Sequence, residues 1–117
     1  MDDKKTGIRQ NLTNYGDLGF STFLRKSFIK GLGYSDEMLD KRIVGIINTF
    51  SNYNSCHGNV PDLIQSLRAG ILAKGAIPLE FPTISVHEAF TYPTSMYLRN
   101  LMAMDTEEMI RAQPMDS

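Results

Sequence analysis

The sequence has a single cysteine, no long apolar run and no excess of one charge sign. Cys56 is the only cysteine among the 117 residues, which excludes a scaffold held together by disulfides. No apolar run approaches the roughly 20 residues that span a bilayer. The chain has 12 basic and 13 acidic residues, so its net charge predicts neither a nucleic acid nor a membrane as partner. Residues 1–10, MDDKKTGIRQ, lack the apolar core of a signal peptide, and we expect a cytoplasmic protein.

The first half of the chain predicts one long helix followed by one strand. Residues 1–13 are polar and are expected to form a loose segment. Residues 16–34 follow with a helical pattern, in which Asp17 or Ser21 is the expected N-cap and the glycines near the end are the expected stop. Its apolar residues fall on one helical face: Phe20, Phe23, Leu24, Phe28 and Leu32. Residues 42–50, RIVGIINTF, predict a strand that is covered on both faces.

The second half predicts helix, strand and helix in that order. Pro61 suits the first turn of a helix that Asn59 would cap and Gly75 would end. The expected buried stripe of this helix is Leu63, Ile64, Leu67, Ile71 and Leu72. Residues 76–86 predict a second strand, whose two prolines favour an edge position. Residues 95–113 predict a last helix, which a capping box at Asp105 and Glu108 would bend or restart.

This order of elements indicates an α/β fold with a parallel sheet. Two strands make a poor sheet, and the pattern stops at QPMDS, where another strand is expected. We therefore expect an incomplete parallel-sheet α/β sandwich, truncated at its C-terminal end. In such a piece the apolar faces of the first helix and strand would stay partly exposed.

Candidate site residues follow the two predicted strands. Ligands in open α/β sheets gather at the carboxyl ends of the strands, where Cys56, His57, His87 and Glu88 would meet. These residue types bind metals, although their spacing matches no zinc finger or P-loop. Simpler interpretations remain open. Cys56 would be a small buried hydrophobe, the histidines hydrogen-bonding loop residues, Glu88 a solvated carboxylate, and Asp105 a helix-cap charge.

Three long stretches resemble a known enzyme family. They are residues 14–28, NYGDLGFSTFLRKSF; residues 48–63, NTFSNYNSCHGNVPDL; and residues 78–116, which include PLEFPTISVHEAFTYPTSMYLRNLMAMD. Together they resemble the amino-terminal part of the dihydroxy-acid and sugar-acid dehydratases, which include the phosphogluconate, arabinonate and xylonate dehydratases. The stretch from Tyr92 to Asp105 is more similar to the sugar-acid branch. Residues 14–117 would then be the N-terminal part of the dehydratase α/β domain.

The resemblance implies a hydro-lyase that converts a 2,3-dihydroxy acid or an aldonic acid to a 2-keto acid. It implies that Cys56 is one of three thiolate ligands of an iron–sulfur cluster, expected to be 2Fe–2S, and that Glu88 helps to hold Mg²⁺. The remaining ligands and the catalytic base of the family lie downstream, so no catalytic residue is assigned in this chain. The implied partners are a small hydroxy acid and, at full length, further copies of the same chain. The alternative is a non-catalytic α/β binding module derived from this family.

Overall fold

The computed structural model describes residues 6–12 and 17–117. Within them the structure has four α-helices and two β-strands. In chain order these are α1 (Leu18–Lys30), α2 (Asp36–Leu39), β1 (Ile43–Asn48), α3 (Val60–Ala73), β2 (Ile77–Pro82) and α4 (Ser95–Ala112). The strands are parallel neighbours, with Ile43 opposite Ile77 and Asn48 opposite Pro82. The predicted fold class is confirmed, and two strands with four helices are consistent with an incomplete α/β fold.

The core lies at the start of the two strands. Ile43 and Ile77 open β1 and β2 and are both buried, together with Ile8 and Leu39. Partly buried apolar residues pack around this cluster: Ile29, Tyr34, Leu79 and Met115. A side chain at Gly45 would place its Cβ 2.7 Å from the sulfur of Met115, so a larger residue there would push the flexible Met115 side chain away from β1.

Asp116 ties the two ends of the described chain to the start of β1. Its carboxylate accepts hydrogen bonds from the backbone N–H groups of Gly7, at 3.0 and 3.2 Å, and of Ile43, at 2.7 Å. It also accepts one from Nε2 of Gln10 at 2.8 Å. Gly7 has a φ of +58° and lies against the carbonyl of Lys41, where a Cβ would come within 2.6 Å of the oxygen. Only glycine brings its N–H to Asp116 in this way.

Part of the predicted loose segment is held by these contacts. Residues 1–5 and 13 of that segment lie outside the described residues. Within residues 6–12, Ile8 is buried in the core. Arg25 of α1 donates to the carbonyl oxygens of Ile8, at 2.8 Å, and of Gln10 and Asn11. The side chains of Arg25 and Asp116 therefore hold this stretch from both sides.

Helix α1 begins and ends as expected. Asp17 accepts a hydrogen bond from the N–H of Phe20 at 2.6 Å, which confirms it as the N-cap. The helix ends at Lys30, and Gly33 follows with a φ of +94°. Most of its apolar face is exposed, as predicted: Phe20, Phe23 and Phe28, and Leu32 just after the helix, are all at least 49% accessible.

Helix α3 differs from its prediction in two respects. Pro61 lies in the first turn as expected, but the side chain of Asn59 makes no capping hydrogen bond. The predicted buried stripe is also largely exposed: Leu63, Leu67 and Leu72 are each at least 44% accessible, and only Ile64 is buried. The reason is that α3 packs on the strands through a narrow line of residues. An apolar stripe in the sequence shows which residues share one face of a helix, but it does not show how much of that face is covered.

Helix α4 is continuous, so the predicted restart at Asp105 is wrong. The helix runs through this position, where Oγ1 of Thr106 donates to the carbonyl of Met102 at 2.8 Å. Asp105 instead accepts a hydrogen bond from the N–H of Ile84 at 3.0 Å. Asp105 therefore connects α4 to the segment after β2 through this hydrogen bond and does not cap a helix.

Across residues 6–12 and 17–117, no helix is both long enough and apolar enough to cross a bilayer.

We predict that Asp116→Asn loosens both segments that its carboxylate holds. Both oxygens of Asp116 accept N–H donors, and an asparagine keeps only one acceptor and no charge. Loss of charge-assisted hydrogen bonds, each about 1.5–3 kcal/mol, should speed amide exchange about tenfold or more. Hydrogen–deuterium exchange on peptides covering residues 6–12 and 42–48 measures this.

Glu108→Gln is the matched control, because Glu108 is exposed on α4 and its side chain makes no hydrogen bond within the described part of the chain. Equal exchange in both variants would show that Asp116 does not hold these segments.

Candidate functional site

The segments that follow β1 and β2 form one cleft at the carboxyl edge of the sheet. Its volume is about 370 Å³. The lining residues come from the two segments and from α4: Asn54, Cys56, His57, Val86, His87, Glu88, Arg99 and Met102. The four candidate residues that the sequence placed at this edge are therefore brought together. Their assignment to particular metals stays a prediction.

Asn54 joins the two segments. Its side chain is buried, and its Nδ2 donates to Oγ of Ser85 at 3.1 Å and to the carbonyl of Val86 at 3.2 Å. These bonds connect the segment after β1 to the segment after β2. A buried amide with paired donors of this kind determines a single arrangement of the two loops.

Cys56 lies in a short 3-10 turn, Ser55–His57, and its thiol is exposed. The interpretation of Cys56 as a small buried hydrophobe is therefore wrong. An exposed thiol at a cleft is accessible to a metal cluster or to another reactant, whereas a core cysteine is not.

Both histidines make loop hydrogen bonds, as the simpler interpretation predicted. Nδ1 of His57 lies 3.0 Å from the carbonyl oxygen of Thr49 and, when it carries the proton, donates to it. In a neutral ring this tautomer leaves Nε2 as an acceptor. Nδ1 of His87 accepts a hydrogen bond from the N–H of Ala89 at 3.1 Å.

Glu88 is exposed but firmly held at the start of α4. Its Oε2 accepts hydrogen bonds from the N–H of Ser95 at 2.8 Å, from the hydroxyl of Ser95, and from Oγ1 of Thr94 at 3.3 Å. Bonding to Ser95, first through its hydroxyl and then through its N–H, holds the pKa of Glu88 below its ordinary value. Within the described residues no hydrogen bond uses the other oxygen, Oε1. Glu88 is therefore an ionised carboxylate with one fixed oxygen and one available oxygen.

The donors in the cleft suit two kinds of metal but complete neither site. A soft thiolate such as Cys56 suits iron–sulfur clusters, and a hard carboxylate oxygen such as that of Glu88 suits Mg²⁺. Among residues 6–12 and 17–117, no three His, Cys, Asp or Glu side chains gather in a way that could hold a metal ion. Cys56 as a cluster ligand and Glu88 as a Mg²⁺ ligand therefore stay predictions.

Two residues that line the cleft were not predicted from the sequence. Nothing local distinguishes Asn54, because its partners lie 31 and 32 positions away. Arg99 lies inside the helical pattern of α4. A signal was present, since Arg99 is the only charged residue in the first ten positions of α4.

Residues 41–117 match the family model described as "Dihydroxy-acid/6-phosphogluconate dehydratase N-terminal". The L-arabinonate dehydratase of Rhizobium leguminosarum is 38% identical over 103 residues, covering 87% of this chain and 18% of that protein. The 6-deoxy-6-sulfo-D-gluconate dehydratase of Pseudomonas putida is 38% identical over 81 residues, covering 69% and 14%. The dihydroxy-acid dehydratase of Carboxydothermus hydrogenoformans is 29% identical over 106 residues, covering 85% and 19%. The chain spans about one fifth of the length of such relatives, or less.

We predict that Ser95→Ala raises the pKa of Glu88 toward its ordinary value, because the variant removes a hydrogen bond to the ionised form. The stabilisation from this contact is complete above the ordinary glutamate pKa, about 4.3. It is lost as the pH falls through the lower pKa of the folded state. An NMR titration of the Glu88 carboxyl carbon between pH 2 and 7 measures the shift. Ser66→Ala, at an exposed position of α3, is the control. An unchanged Glu88 titration in Ser95→Ala would contradict the contact.

Proposed function

Because this chain belongs to the dihydroxy-acid/6-phosphogluconate dehydratase family, we propose that its full-length protein removes water from a hydroxy acid. The substrate is a 2,3-dihydroxy acid or an aldonic acid, and the product is a 2-keto acid. The observation that carries this proposal is the cleft, in which an exposed thiol and an oriented carboxylate from different loops line the same space. A cytoplasmic location, expected from the composition of the chain, and assembly with further copies of the chain, implied by the resemblance, also belong to the proposal.

The reaction requires two difficult bond changes. The proton on C2 leaves to a base, the hydroxyl on C3 leaves with its electron pair, and the enol that results tautomerises to the 2-keto acid. Neither group leaves readily at neutral pH without help. The chemistry that bound Mg²⁺ and an iron–sulfur cluster supply is stabilisation of developing negative charge and of a departing hydroxyl. No residue of this chain is assigned as the base.

The residues of this chain have holding and orienting roles in the proposal. Cys56 would give one thiolate to the cluster, and Oε1 of Glu88 would give one oxygen to Mg²⁺. Glu88 suits this role because its Oε2 is already fixed by Ser95, so little freedom is lost on binding a cation. Asn54 would keep the two ligands at a constant separation by joining their loops.

The competing function is a non-catalytic binding module derived from the same family. In that case the cleft would bind a small molecule through the same polar residues without chemical change.

A substrate screen on the full-length protein distinguishes the two functions. We expect release of a 2-keto acid, and faster release from aldonic acids than from branched dihydroxy acids. The sugar-acid relatives are 38% identical, against 29–32% for four dihydroxy-acid dehydratases. The protein is purified without oxygen and supplied with iron, sulfide and Mg²⁺, and product is followed by NMR. Binding of these acids without any turnover in the loaded protein would support the binding module instead.

Two substitutions in the full-length protein separate the metal assignments. Cys56→Ser should remove most of the visible absorption of the cluster and most of the activity, whereas a structural cysteine would lose roughly 1 kcal/mol of stability. Glu88→Gln should keep the iron and lower the Mg²⁺-dependent turnover, because a neutral amide replaces a hard anionic ligand. Iron analysis, absorption spectra and Mg²⁺ titrations of activity measure both effects.

Glu108→Gln serves as the control for loss of a carboxylate on the same part of the chain. Retention of the cluster and of turnover in Cys56→Ser would contradict the assignment of Cys56 as a cluster ligand.

A further inference from the structure

Arg99 is a cation that lines the cleft and has no hydrogen-bond or ion-pair partner among the described residues. It lies on α4 beside the space that Cys56 and Glu88 also line. Within the described part of the chain, no hydrogen bond or ion pair uses its guanidinium. The ion pairs there involve other cations: Arg9, Lys26, Lys30 and Arg111. Arg99 therefore has its donors available.

Four other arginines in the described part of the chain have structural partners, whereas the side chain of Arg42, which lies outside the cleft, has none. Arg25 donates to three backbone carbonyls of the segment at residues 8–11. Arg68 donates to the hydroxyl of Tyr34 at 3.4 Å, and Arg111 pairs with Glu107 at 2.6 Å. Arg99 has no such contact and, unlike Arg42, it lines the cleft, so its guanidinium can reach a ligand bound there.

The position of Arg99 is set by the contact that fixes Glu88. Ser95 and Arg99 are four residues apart on α4 and so lie on the same side of the helix. Ser95 binds Glu88 at the edge of the cleft, and this directs the same side of α4 toward the cleft. The positive charge of Arg99 adds to the causes that keep Glu88 ionised. The cleft thus has a negative and a positive group close to one another.

We propose that Arg99 binds the carboxylate of the substrate and selects acids over neutral polyols. The inference rests on the proposed function, because both proposed substrate classes share a carboxylate. A guanidinium offers a planar pair of N–H donors that matches the two oxygens of a carboxylate. The competing role, in which Arg99 serves only to balance the charge of Glu88 for metal binding, predicts different kinetics.

The test is steady-state kinetics of the full-length protein with an aldonic acid as substrate. Arg99→Gln should raise KM about ten- to a hundredfold, as expected for lost hydrogen bonds between charged groups. The change in kcat should be much smaller, and iron and Mg²⁺ contents should stay at wild-type values. Arg99→Lys keeps the charge but not the paired donors, so its KM should lie between those of the wild-type protein and Arg99→Gln. Arg111→Gln, on the same helix outside the cleft, should leave KM unchanged.

Three outcomes would overturn the proposal. The first is an unchanged KM in Arg99→Gln. The second is a loss of Mg²⁺ in Arg99→Gln with KM retained, which would show the competing role. The third is a rise in the KM of Arg99→Gln that occurs only with a substrate that carries a second, distal anion, such as a 6-sulfonated aldonic acid. Should Arg99→Gln fail to fold, Arg99→Lys supplies the same comparison.

Direct titration separates this proposal from the proposed function. Gluconate is titrated calorimetrically into the wild-type and Arg99→Gln proteins, with sorbitol as the neutral probe. Binding of gluconate that is lost in Arg99→Gln, in a protein without turnover, would support Arg99 and overturn the hydro-lyase. Turnover with equal gluconate binding in both proteins would support the hydro-lyase and overturn the role of Arg99.

Discussion

The parallel pairing of β1 with β2 is the constraint on which the cleft depends. Parallel strands have their carboxyl ends at the same edge of the sheet, so the segments that leave them must begin side by side. The pairing is secured by the burial of Ile43 and Ile77 at the other end of the strands. Asn54 then joins the two segments through its amide. Backbone topology and one buried side chain therefore place Cys56 and Glu88 on the same cleft.

The start of α4 connects Glu88, the candidate metal ligand, with Arg99, the candidate substrate-binding residue. The hydrogen bonds between Ser95 and Glu88 satisfy the first N–H group of the helix, lower the pKa of the carboxylate and fix one of its oxygens. They also direct one side of α4 toward the cleft, where Arg99 lies. A group that is held before its ligand arrives loses less entropy on binding. The start of the helix and the preorganisation of the site therefore depend on the same contacts.

Local patterns in the sequence predicted the elements and most of their boundaries. Both strands, the cap at Asp17, Pro61 in the first turn of α3 and the glycine after α1 follow from the conformations that single residues adopt. These preferences act within a few residues, so they can be read without knowledge of the tertiary structure. The same local rule failed at Asp105, because the N–H of Ile84 was available to it from 21 residues away.

Of the site, the sequence alone determined the residue types in the two loops, whereas their assignment to metals is what the resemblance implies and stays a prediction. The tertiary structure decided that Cys56 is exposed, that Glu88 is bound by Ser95 and that Arg99 shares their cleft. It also decided that the apolar stripe of α3 is largely uncovered. The physical reason is the same in each case. A residue's own preferences are local, whereas its exposure and its hydrogen-bond partners depend on which distant segments the fold brings beside it.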